Sequence, residues 1–155
     1  MNIPSVINPS YVVNLDKKIT SVQNIISKTG IFINTCKTCS ELSTIKNVSD
    51  EIMTEFNKSK KIIEDFFTDQ ITEVLKTINK LEPLLTPPTD LGSVISWITN
   101  SITTFQEPYT KALILQTQLL EKQIEFVGKL SFVTSNINSL QNSIIEKASI
   151  LKCNL

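Results

Sequence analysis

The strongest constraint on the fold of this chain is an apolar seam that runs through its second half in alternating steps of four and three. It starts at Leu91 and passes through Ile95, Ile98, Ile102, Phe105, Tyr109 and Ala112. The same stepping continues through Gln116, Leu119, Gln123, Phe126, Leu130, Val133, Ile137, Leu140 and Ile144 to Lys147 and Leu151. Over about eight heptads this spacing places apolar groups on one helix face, and the physical cause of such a face is burial along a partner helix. Gln116 and Gln123 are polar seam residues of the kind that set register or oligomer number. A second row, Leu113, Leu120 and Val127, widens the stripe and predicts at least three helices packed together there.

The first half carries a similar face. Leu15, Ile19, Val22 and Ile26 step by four, three and four, and the face resumes at Leu42, Ile45, Val48, Ile52 and Phe56. It goes on through Ile63, Phe67, Ile71, Val74, Ile78, Leu81 and Leu85, with one slip near Ile63 that reads as a stutter. Between these runs the register blurs at Gly30 and Ile31-Phe32-Ile33, so a kink or break is expected near 30–40. Pro87 and Pro88 end the helical pattern, and Thr89 or Asp90 can cap the next helix. Pro108 predicts a kink or a new helix start after Gln106.

These signals divide the chain into an extended N-terminal arm (1–13), a first long helical segment (14–82), a Pro-rich turn (83–90) and a second long helical segment (91–152). Each segment, if helical, spans roughly 90–100 Å. The expected fold is all-α, an elongated antiparallel helical hairpin with coiled-coil seams. If Gly30 and Pro108 are true breaks, the same pieces give a compact four-helix bundle instead. A lone hairpin would expose much apolar surface, so assembly with copies of itself or with other structural proteins is expected. In the arm, Pro4 and Pro9 disfavour helix, while Ile3, Val6 and Ile7 offer something to bury, as in a docking strap or a frayed end.

Composition removes several classes of function. All fifteen basic residues are Lys, with neither Arg nor His, and they cancel fifteen acids. The commonest general base, the commonest metal ligand and the side chain best suited to bidentate phosphate or guanine contacts are therefore missing. Lys58, Lys60 and Lys61 form the densest basic cluster, and Glu55, Glu64 and Asp65 surround it, so nucleic acid is not an expected partner. Three glycines are too few for a phosphate loop or a nucleophile elbow. No apolar run is long enough to span a bilayer, and residues 1–13 read as neither a secretory signal nor a myristoylation site.

Cys36-Lys37-Thr38-Cys39 has the CxxC spacing, but a structural zinc needs four ligands and no second pair or His accompanies it. No strands flank it as a thioredoxin-like motif would require. Both thiols are expected to pack as small apolar groups. Folding a straight hairpin about Pro87 places Cys153 nearer Val22 than Cys36, so Cys153 is not expected to join them. No cofactor or metal is expected. Helical pairs such as Lys60–Glu64, Glu107–Lys111 and Glu125–Lys129 read as a solvated outer face rather than catalytic carboxylates.

Leu91–Gln106 and Leu130–Ile145 carry no charge. Such faces suit burial in an assembly better than a membrane surface, where Lys would line the polar side. The functional expectation is a non-enzymatic structural protein that oligomerises through coiled-coil helices. Its bias to Ile, Asn, Lys, Ser and Thr is that of AT-rich genomes, and so suggests a virus or phage particle component: capsid, tail or baseplate. Otherwise a cytoplasmic protein is expected. The alternatives are a membrane-active amphipathic protein and a soluble coiled-coil adaptor or chaperone. Candidate interface residues are Leu91, Ile95, Ile98, Ile102, Phe105, Leu119, Phe126, Leu130, Val133, Ile137, Leu140 and Ile144, with Ile3, Val6 and Ile7 of the arm.

Overall fold

A computed structural model describes the chain from Pro9 to Leu155, with side chains from Val12 onward. Among the described residues the fold is all-α, without strands. The elements are α1 (Pro9–Thr35), α2 (Cys39–Leu81), a 3-10 turn (Glu82–Leu85), α3 (Leu91–Ser96), a π-helical segment (Trp97–Ile102) and α4 (Thr103–Leu151). Residues 9–13 of the expected extended arm are helical and belong to α1, with Pro9 at its start, while Ile3, Val6 and Ile7 lie outside the described residues.

The chain divides into two compact units. The first comprises Pro9–Glu64 and Glu125–Leu155, so it contains α1, the first part of α2 and the last part of α4. Within it α1 turns back on α2: Ile25 and Thr29 share a groove with Ile45 and Val48, while Leu15 and Lys18 share another with Ser59 and Ile63. Helix α4 runs parallel to α1, because Lys129 reaches Asp16 and Lys147 reaches the carbonyl of Asn34 at the same sequence offset of 113. It is antiparallel to α2, where the Gln141 amide meets the Met53 sulfur at 3.3 Å. The unit is therefore a three-helix bundle.

Its core follows the sequence periodicity along α4, whereas on α2 Val48 of the expected face is exposed and Ser49 is buried in its stead. Leu15, Ile19, Ile26 and Ile33 from α1 are buried against Leu42, Phe56 and Ile63 from α2. Phe126, Leu130, Val133, Ile137, Leu140 and Ile144 supply the α4 face. Each such side chain contributes about 1.5–3 kcal/mol when removed from water. The Lys129 ammonium sits 5.1 Å from the Phe126 ring centroid while it bonds Asp16 and Glu125, so one side chain ties α1 to α4.

The break between α1 and α2 falls at Cys36–Thr38, and α1 continues through Gly30 to Thr35. A reciprocal capping box starts α2. The Glu41 amide donates to the Thr38 hydroxyl at 3.2 Å, and the Thr38 amide donates to the Glu41 carboxylate at 3.1 Å. The Lys37 amide adds a third bond to the same carboxylate, at 2.8 Å.

The end of α4 corrects the sequence reading of the cysteines. Cys153 is bonded to Cys39, with Cα atoms 5.4 Å apart, whereas a straight hairpin about Pro87 had set Cys153 opposite Val22. The pairs 39–153 and 53–141 place the fold line of α2 and α4 near residue 96, not 87. Helix resumes at Leu91, as the 83–90 turn implies, but as α3 and the π-helical segment, which precede α4. A Schellman end delivers Cys153 to the bridge. The Lys152 amide donates to the Ser149 carbonyl and the Cys153 amide to that of Ala148, with Lys152 at φ 58°.

The second unit contains Asp65–Ile124 among its described residues. Phe67, Val74, Ile78 and Leu81 of α2 form its core with Ala112, Leu115 and Leu119 of α4. Pro83 opens the 3-10 turn, and the Asp90 carboxylate caps α3 by accepting from the Ser93 amide at 2.9 Å. The Trp97 indole donates to the Leu84 carbonyl at 3.0 Å and pins the π-helical segment to the turn. Pro108 lies inside α4 without ending it. The wider π-helical turn immediately precedes α4.

Candidate interaction surfaces

The predicted interface residues fall into two groups. Leu119 is buried in the second unit, and Phe126, Leu130, Val133, Ile137, Leu140 and Ile144 are buried in the first. That stretch of the seam is covered by the chain's own helices. Leu91, Ile95 and Ile98 are 83%, 67% and 49% exposed, while Ile102 and Phe105 are half-buried. Periodicity placed all of them on one helix face without indicating where the chain itself covers that face.

The exposed group has a local cause. In α3 and the π-helical segment, Val94, Trp97 and Ile102 are the partly covered apolar residues, and Trp97 is spent on the Leu84 carbonyl. Leu91, Ile95 and Ile98 step by four and three on a neighbouring stripe that faces solvent. The polar residues between them look after themselves. Thr99 donates its hydroxyl to the Ile95 and Ser96 carbonyls, and the Asn100 amide donates to the Ser96 hydroxyl. The segment thus presents an apolar, uncharged ridge. The second row, Leu113, Leu120 and Val127, is also exposed on α4.

A second surface, in the first unit, was not foreseen. Between α1 and α2 lies a groove of about 600 Å³ lined by Ile25, Thr29, Phe32, Cys36, Ile45 and Val48. Phe32 is 61% exposed, and Ile25 and Val48 are exposed beside it. The run Ile31-Phe32-Ile33 carried the signal: one helix face cannot bury three consecutive apolar residues, and only Ile33 reaches the core. The register blur read as a break was in part a second apolar face.

The groove is poor in reactive chemistry. The Thr29 hydroxyl donates to the Ile25 carbonyl, and that of Thr35 to the Ile31 and Phe32 carbonyls. At the rim, Glu41 is held below the usual carboxylate range by the Lys37 and Thr38 backbone amides and stays ionised as a cap. Lys28 lines the rim of the apolar floor and forms no ion pair among the described residues. The Cys36 thiol is 6% exposed and donates to the Ile33 carbonyl at 3.4 Å. Because the Cys39 sulfur is committed to Cys153, the CxxC spacing does not supply two free thiolates.

Elsewhere the ionisable groups form outer-face pairs of the expected kind. The Lys46–Asp50 and Lys58–Glu55 pairs are at 2.8 Å, and Lys76–Glu73 and Lys111–Glu107 at 2.7 Å. Glu73 and Glu107 are shifted down by hydrogen bonds to their lysines. Each pair is local to one helix and solvated, which fits surface stabilisation worth tenths of a kcal/mol. Among the described residues no three metal-binding side chains cluster, and no helix is long and apolar enough to cross a membrane.

Comparison of the chain with protein-family models, curated proteins and solved structures finds no match to any of them.

Proposed function

We propose that this chain is a non-enzymatic assembly protein whose exposed helical faces pack against other subunits. One observation carries the reading: the uncharged ridge of Leu91, Ile95 and Ile98 stands in solvent, although its spacing continues that of the buried seam. Apolar residues aligned on one stripe rather than scattered mark surface that another protein covers. The candidate chemistry also speaks for binding. The one free cysteine is buried, the groove is apolar, and Glu41 and Asp90 serve as helix caps.

A particle component, such as a capsid, tail or baseplate subunit of a virus or phage, suits this reading. The Cys39–Cys153 bridge is in keeping with it, because disulfides persist at virion and cell surfaces and in other oxidising settings. A membrane-surface role would use the same ridge. It is disfavoured by the Ser, Thr and Asn around it, since interfacial helices present Lys to lipid headgroups.

Isotope-mixed cross-linking tests the proposal. Light and heavy protein are combined, treated with a lysine-reactive reagent and digested. Cross-links that join a light to a heavy peptide are expected, and they report contacts between chains. If every cross-link joins peptides of one isotope, self-assembly is refuted. Flotation of the same sample with anionic liposomes would support the membrane role instead.

A further inference from the structure

The two exposed apolar surfaces of this chain match each other, and we propose that the α1–α2 groove receives the Leu91–Ile102 helix of a second copy. This rests on the assembly reading above and names its contact. The ridge offers anchors at Leu91, Ile95 and Ile98, the spacing by which an amphipathic helix enters an apolar groove. The α1 wall of the groove offers exposed Ile25 and Phe32 on the same face as buried Thr29, and buried Cys36 closes its end just beyond α1. The two surfaces also agree in length: Leu91–Ile102 and Ile25–Cys36 each extend about 16 Å along a helix.

Charge favours this occupant. A helix with Lys or Glu on the face that meets the apolar floor, away from Lys28 and Glu41 at the rim, would strand an ion there, at a cost of several kcal/mol if buried unpaired. Leu91–Gln106 carries no ionised side chain, and its Thr99 and Asn100 groups already have partners within their own segment. Docking therefore desolvates apolar groups on both sides and leaves Lys28 at the rim in water.

The contact is heterologous, since ridge and groove are different surfaces. Each copy carries one of each, so repetition gives a ring if the rotation closes and a filament if it does not. It also supplies helix-on-helix packing where α1 and α2 leave an apolar furrow open.

Complementation between two monomerised variants tests this contact. Ile95→Asp/Ile98→Asp removes the ridge, and Ile25→Asp/Phe32→Asp removes the groove. All four positions are exposed, so the folds should survive, as checked by circular dichroism and by a free-thiol count. Each variant alone is expected to run as a monomer in size exclusion with light scattering. Their equimolar mixture is expected to form a one-to-one dimer, since one chain keeps its groove and the other its ridge. Val48→Trp, which fills the groove without adding charge, should weaken self-association at least tenfold. If wild type assembles but the mixed variants stay monomeric, or either variant alone still assembles, the contact is wrong and the assembly reading stands. If wild type is itself monomeric, both are overturned.

Discussion

Removing the bridge between Cys39 and Cys153 should destabilise this protein strongly. The bond closes a loop across a sequence separation of 114. In the chain-entropy description a loop of that length restrains the unfolded chain by about 4–5 kcal/mol. Cys153→Ser removes the constraint without disturbing the apolar core, because Cys153 lies beyond the Schellman end of α4. With a urea dependence of about 2 kcal/mol per molar for a domain this size, the unfolding midpoint should fall by about 2 M. Heating should show a loss of about 10–15 °C. Dithiothreitol should shift wild type by the same amount and leave Cys153→Ser unmoved. A thiol count on denatured, unreduced protein should give one free thiol, from Cys36. Three free thiols, a Cys36–Cys39 bridge, or a midpoint indifferent to reductant would refute both the pairing and the register of α4 that it implies.

Other consequences are smaller but sharply signed. A Cβ at Gly30 or Gly128 would meet no atom within 4 Å, and both lie inside helices. Gly→Ala at either should therefore raise stability by about 0.5–1 kcal/mol in urea titrations, and a loss would mean that the helix is interrupted there. Ser49 is fully buried and its hydroxyl has no hydrogen-bond partner among the described residues. Ser49→Ala should stabilise by about 1 kcal/mol, since the stranded hydroxyl keeps its desolvation cost, and a cost of that size would reveal a partner. Lys129 is raised by hydrogen bonds to Asp16 and then Glu125. Its contribution is thus fully present below the unfolded lysine pKa of about 10.4 and is lost as pH rises through the higher folded value. Wild type should lose more stability than Lys129→Met in that alkaline window, by less than about 1 kcal/mol for so solvated a pair. Equal losses would place the ammonium elsewhere.

Much of the helical fold can be read in the sequence, because periodicity reports which face of a helix leaves water. The run from Phe126 to Ile144 is buried at every seam position the spacing marks. Periodicity does not report what covers a face. Phe126–Ile144 is covered within the chain, whereas Leu91, Ile95 and Ile98, with the same spacing, are open. The distinction depends on where α1 folds back, and that rests on a three-residue connection and the Thr38–Glu41 capping box rather than on any apolar pattern. The T-x-x-E signature was present at residues 38–41 and would have placed the start of α2. The disulfide was missed for a geometric reason. A hairpin register follows from the length of its turn, and α3 with the π-helical segment displaces the fold line from Pro87. The groove was hidden because Ile31-Phe32-Ile33 exceeds what one face can bury, and that excess looks like noise until a second surface is identified.

The central claim is that the exposed apolar ridge is covered by other subunits. Light scattering coupled to size exclusion, on the oxidised full chain across a wide concentration range, tests it most directly. The account predicts a mass that is a multiple of the single chain, falls on dilution, and drops to the single-chain value in Ile95→Asp/Ile98→Asp. A wild-type protein that stays at the single-chain mass at every concentration would contradict it.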